Sequence, residues 1–131
     1  MDNLYPQAIT VHGASRQLEI TFSDGLTFHI PFELMRVYSP SAEVKGHGPG
    51  QEVLQTGKRD VGIEALEPVG QYAVQPYFSD GHHSGIYTWI YLYEMGRDQA
   101  QWWARYEERL QAAGVGRDDP MPERGKGCAS H

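Results

Sequence analysis

The tetrapeptide Phe-Ser-Asp-Gly occurs twice, at residues 22–25 and again at 78–81. Asp-Gly accepts the positive φ that tight hairpin turns demand, so the chain has to reverse direction at two matched places. Each copy ends a run of strand-like residues and is followed by a second run and then a short aromatic-rich segment. This pattern predicts a hairpin–helix unit used twice.

Around the first copy, residues 8–11 form a short apolar run. Leu18, Ile20 and Phe22 alternate with polar residues, as do Leu26, Phe28 and Ile30. Period-two alternation marks strands with one buried and one wet face. Pro31 can open a helix over residues 32–38, which Ser39-Pro40 stops. Residues 39–60 are crowded with glycine and proline and read as the least regular stretch, of a length usually kept for function or mobility. Strands resume at 63–66 and 72–78, and the second Asp-Gly turn leads into an expected strand at 82–87. Thr88 is placed to cap a helix over 89–95 that Gly96 ends. Asp98 can cap a longer helix to Ala113, with an apolar stripe of Trp102, Trp103, Tyr106 and Leu110 and with Gly114 as its stop. The expected fold is α+β: antiparallel hairpins forming a small sheet, two short helices after the hairpins, and one longer C-terminal helix. With 131 residues the chain suits one domain with an adequate core. That domain is expected over residues 1–113, and the Gly-, Pro- and charge-rich residues 114–131 read as a flexible, disordered tail.

The formal net charge of −6 opposes binding to phosphate backbones, so nucleic acid is not an expected partner. No apolar run approaches the roughly 20 residues that span a bilayer, and no membrane association is expected. The single cysteine, Cys128, excludes an internal disulfide. With an N-terminus that lacks signal-peptide character, this points to the cytoplasm.

Reactive motifs are sparse. The glycine-rich run at 46–50 lacks the strand, helix and Lys-Ser/Thr of a phosphate loop. No Gly-x-Ser-x-Gly elbow occurs. Asp80 and His82 would share one face of an extended strand, which allows either a metal site completed by His47 or His29 or a solvated polar turn. Cys128 and His131 have a Cys-x-x-His spacing that could hand over a metal, or could be inert. Tyr87, Trp89, Tyr91 and Tyr93 would surround a helix axis. They form either a partner surface, with Trp89, Tyr91 and Tyr93 as its residues, or a helix wedged between sheet and second helix.

Two blocks carry a family resemblance. The first is Met35-Arg36-Val37-Tyr38-Ser39-Pro40-Ser41-Ala42-Glu43-Val44 with the 46–50 glycine run. The second is Asp80-Gly81-His82, Ser84-Gly85-Ile86-Tyr87, and Trp89 with Tyr91-Leu92-Tyr93-Glu94. Over roughly residues 5–113 the chain resembles small bacterial proteins named for the N-terminal domain of gamma-butyrobetaine hydroxylase. The resemblance implies an α+β accessory domain, because in the hydroxylases a separate jelly-roll domain performs the iron- and 2-oxoglutarate-dependent chemistry. This chain is too short to hold both, and is expected to be a stand-alone, non-enzymatic relative. Similar domains attached to P-loop ATPases with iron–sulfur clusters imply a possible partner in cluster assembly.

The resemblance also implies a zinc site, built in the hydroxylases from a Cys-Pro-Cys-x-x-Cys run and the histidine of Asp-Gly-His. Here Ser39, Ser41 and Val44 stand at the cysteine positions and only His82 matches a ligand. The structural zinc is therefore expected to be lost, while Ser39 and Ser41 should still lie beside His82. The leading expectation is an accessory domain working through a protein partner. The alternative is a metal or iron–sulfur handling factor using zinc or iron at His82, His47, Cys128 and His131.

Overall fold

The structure, a computed structural model, describes residues 4–46 and 52–121. The chain is α+β, as expected, but the hairpins build two sheets rather than one. Strands β1 (Pro6–His12), β2 (Gln17–Phe22) and β3 (Thr27–Pro31) form one antiparallel meander, and β4 (Ile63–Val69), β5 (Ala73–Phe78) and β6 (Tyr87–Thr88) form another. Alternation along a strand shows which face is buried. It does not show which hairpins join edge to edge, so the number of sheets was not readable. The helices are α1 (Phe32–Val37), α2 (Ala42–Lys45), α3 (Trp89–Arg97) and α4 (Gln99–Ala113).

The two Phe-Ser-Asp-Gly copies adopt the same turn in detail. Gly25 and Gly81 have φ of 90° and 92°. In each copy the phenylalanine N–H donates four residues ahead, to Leu26 or His82, and the glycine N–H donates back to the phenylalanine. The aspartate accepts the N–H two residues on, at Leu26 or His82. The serine N–H donates to Tyr5 or Gly62, whose own N–H returns to the serine hydroxyl. Each sheet even carries its register shift at the same place, between Pro6 and Ala8 and between Ile63 and Ala65. The repeated unit is real in three dimensions.

The units exchange contacts. The Asp24 carboxylate of the first turn accepts from the Tyr93 hydroxyl on α3, and the Asp80 carboxylate of the second accepts from Arg36 on α1. Arg36 and Tyr93 each stand four residues past the start of their helix. The tightest glycines obey the same exchange: a Cβ on Gly96 would strike Phe28, and one on Gly85 would strike Ser39. Gly96 occupies the place in its unit that Ser39 holds in the first, and Gly85 the place of Phe28.

Between the units lies the core. Leu18, Ile20 and Phe22 project from β2, Phe32 and Met35 from α1, Leu92 and Met95 from α3, and all are fully buried. Tyr106 and Leu110 of the expected α4 stripe complete it, with Trp102 and Trp103 half-buried at its edge. Thr88 caps α3 by accepting the Tyr91 N–H, as read from the sequence. Gly114 stops α4 in the left-handed conformation. Asp98 sits at the N-cap of α4, but its carboxylate is taken by Arg97 instead of the helix amides.

Other expectations need correction. Residues 82–86 are not a strand, because Asp80, His82 and Gly85 are committed to the first unit and the chain rejoins the sheet only at Tyr87. Helix α3 runs through Gly96 to Arg97, since that glycine makes room for Phe28. Within the 39–60 stretch, Ser41 caps the unforeseen α2 by accepting the Glu43 N–H. The tail was expected to run free from residue 114, yet it is placed as far as Met121. Arg117 forms a two-pronged ion pair with the buried Glu33, Arg59 pairs with Asp118, and the Gly57 N–H donates to Arg117 O. A charged segment can dock when its charges meet partners on the body. Residues 122–131 lie outside the described part. Among the described residues, no helix is long and apolar enough to cross a membrane.

Candidate functional site

The chain leaves α1 at Tyr38 and buries Ser39 completely. Ser39 Oγ lies 2.8 Å from His82 Nε2 and accepts the Ser41 N–H at 3.3 Å. His82 Nδ1 stands 3.2 Å from Glu43 Oε1. The hydroxyl hydrogen of Ser39 is thus directed at Nε2, which leaves the proton of a neutral imidazole on Nδ1, facing the carboxylate. Burial and the nearby Arg36 cation lower the His82 pKa against the opposing pull of Glu43 and Asp80, so the neutral ring is favoured.

On its far side this knot is tied by charge. Asp80 Oδ2 accepts from Arg36 Nε and Lys58 Nζ, both at 2.8 Å, while Oδ1 accepts the His82 N–H. The two cationic side chains are only 8% and 12% exposed. Burial alone would raise the Asp80 pKa, but Lys58, Arg36 and the His82 amide outweigh it and hold the carboxyl at about 2.

Ser39, His82 and Glu43 stand in the order of a hydrolytic Ser-His-acid triad. Such a serine must meet its substrate beside oxyanion donors. Ser39 is buried and its Oγ is already engaged with Ser41, so the arrangement holds a loop to a turn and does not present a nucleophile.

The side chains that replace the implied zinc ligands do lie together: Ser39 bonds His82, and Ser41 bonds Ser39 through its amide. They do not fit zinc. The donor set is one imidazole with both nitrogens engaged and two hydroxyls, and Val44 offers an isopropyl group. Among the described residues no group of three or more His, Cys, Asp or Glu could hold a metal ion. His47, Cys128 and His131 lie outside the described residues, and His29 instead sits beside Glu19. Incubation with EDTA is expected to leave the Tm unchanged in a thermal melt; a structural zinc would be worth roughly ten kcal/mol or more, so a large drop would restore the metal reading.

The aromatic segment divides. Tyr87 is fully buried and donates to Met35 O. Trp89, Tyr91 and Tyr93 are half-buried, and each spends its polar tip internally, on Gln71 O, Tyr38 O and Asp24. The large apolar groups left clear beside them are Tyr72, Ile86 and Ile90.

Tyr91 also forms a wall of an open groove of about 630 Å³ between the end of α1, α2, α3 and α4. Sequence reasoning missed this groove, because its walls come from four separated segments. Tyr38 and Trp102 pack with ring centroids 5.0 Å apart, and Tyr91 meets Trp102 edge-on at 5.5 Å. Lys45 lies over the Tyr91 ring, and Arg105 and Arg109 line the α4 side. The Tyr38 hydroxyl donates to Trp102 O. Burial raises the Tyr38 pKa, while Arg105 and Arg109 beside its oxygen oppose that rise.

No curated protein matches this chain. Two solution NMR structures are similar to it, each at 45% identity: one covers 91% of this chain and 94% of its own with a TM-score of 0.76, the other 92% and 89% with 0.77. A crystal structure of a DUF971-family protein of unknown function from Acidithiobacillus ferrooxidans is 41% identical, covering 66% of this chain and 86% of its own with a TM-score of 0.56. The sequence model described as gamma-butyrobetaine hydroxylase-like, N-terminal, matches residues 9–93, which takes in most of both repeated units and the Ser39–His82 knot and ends within α3. The chain belongs to the gamma-butyrobetaine hydroxylase-like N-terminal family.

Proposed function

We propose that this domain is a non-catalytic accessory module that acts by binding a protein partner in the groove between α2, α3 and α4. The observation that carries the reading is the contrast between two neighbouring features. The reactive-looking trio of Ser39, His82 and Glu43 has its hydroxyl sealed, while the aromatic surface of Tyr38, Tyr91 and Trp102 beside it opens to solvent along the groove. Half-exposed tyrosine and tryptophan at the floor of a groove offer contact area at little entropic cost. The family resemblance makes an iron–sulfur assembly protein the first partner to look for.

A photo-reactive phenylalanine analogue placed at Glu52, exposed on the groove wall, and another at Thr10, on the outer strand β1, test this in the source cell. Protein adducts are expected from position 52 and lost with Trp102→Ala. Equal adducts from position 10, or none from 52, would refute the groove as the working surface.

A further inference from the structure

The cations of this acidic chain are unevenly satisfied. Arg36, Arg59, Arg97 and Arg117 each meet a carboxylate. Arg105 and Arg109 meet none among the described residues. They are one turn apart on α4, so they share a face, and both flank the Tyr38 phenol at one end of the groove. The groove's own acids belong to the other end. Glu94 lies one turn beyond Tyr91 on α3, and Glu52 precedes Val53, whose N–H donates to Val44 O beside Lys45. Lys45 over Tyr91 is thus at the acidic end, and the α4 end holds two guanidiniums above an aromatic floor.

Resting on the protein-binding reading above, we propose that the α4 end of this groove is a carboxylate-binding site for an acidic segment of the partner protein. Arg105 and Arg109 grip an Asp or Glu carboxylate, and Tyr38, Tyr91 and Trp102 receive a large apolar side chain next to it. Guanidinium forks match carboxylates two bonds at a time, and a half-enclosed site strengthens such pairs over those in open water. The opposite polarity of the two ends sets the direction of the segment. Its acid lies toward α4 and a basic or neutral residue toward Glu52 and Glu94.

The test is selection of random twelve-residue peptides from a display library on the full chain, followed by synthesis of the most enriched one. Enriched peptides are expected to place Asp or Glu next to Phe, Tyr, Trp or Leu. The synthetic peptide should bind at least tenfold more weakly to the Arg105→Gln/Arg109→Gln double variant, whose melting curve should match that of the parent chain. Its affinity should also fall as salt rises. Uncharged or basic peptides that perturb the NMR signals of Trp102 and Tyr91 would overturn the carboxylate site while leaving the protein-binding groove intact. Peptides that bind only elsewhere, or no enrichment at all, would overturn both. Phenyl phosphate shifting the Arg105 and Arg109 signals when no peptide is enriched would assign the site to a small organic anion and refute the acidic segment.

Discussion

Replacement of Asp80 by alanine is expected to destabilise the domain by about 3 kcal/mol or more, because it strands two cations that the fold has already desolvated. Arg36 and Lys58 both point at one carboxylate oxygen and are nearly closed off from water. The Arg36 Nη1 atom already lacks a partner, so no spare acceptor is waiting to take over. Asp80→Asn should fall between, since it keeps an oxygen for the His82 N–H and loses the charge. Denaturant unfolding of the three proteins at neutral pH measures the order; an alanine variant within 1 kcal/mol of the parent would show that the ion pairs are ornamental. The same pairing makes an acid limb. The Asp80 carboxyl is held at about 2, against an ordinary 3.8, so its contribution is complete above pH 4. It declines as the pH falls toward 2, amounting to about 2 kcal/mol at most once its partial exposure is allowed for. That slope should vanish in the alanine variant.

Gly96→Ala is expected to destabilise by about 1–3 kcal/mol through overpacking, although alanine in a helix interior normally gains about 1 kcal/mol over glycine. A methyl group at this position would lie within 3 Å of three atoms of Phe28, among them its Cβ, which cannot swing aside as the tip of a flexible chain could. Truncating Phe28 should remove much of the penalty, so the Gly96→Ala/Phe28→Ala pair should cost less than the sum of the two single changes. Additive costs in that cycle, or a stabilised Gly96→Ala protein, would show that α3 can move away from β3.

The strands around each Asp-Gly turn, the cap at Thr88 and the stop at Gly114 were legible because each rests on a rule about neighbouring residues. Gly96 was misread for the same reason. A glycine seven residues into a helix looks like a stop, and only the third dimension reveals Phe28 against it. The strand expected at 82–87 failed because Asp80 and His82 are claimed by Arg36 and Ser39, more than forty residues earlier in the chain. The juxtaposition of Ser39 with His82 could be expected only through the family resemblance, which carried the geometry of a site whose ligands are gone. Arg105 and Arg109 escaped notice because a pair of arginines on a helix looks like ordinary solvated surface until the Tyr38, Tyr91 and Trp102 rings are found beside it.

The reciprocal contacts of the two turns make the chain its own partner. Seen this way, it is a dimer written in a single polypeptide, in which each half lends its helix to the turn of the other. Each aspartate takes one of its donors from the other half, so each half contributes to the other's integrity. Such a pair can also diverge as no true dimer can, because a change in one half need not appear in the other. One interface is aromatic, with Phe22, Phe28 and Tyr93 edge to edge and a phenol on Asp24. Its counterpart is a charged knot around Asp80, His82 and Ser39. A symmetric assembly would have to build every such site twice; here each is built once.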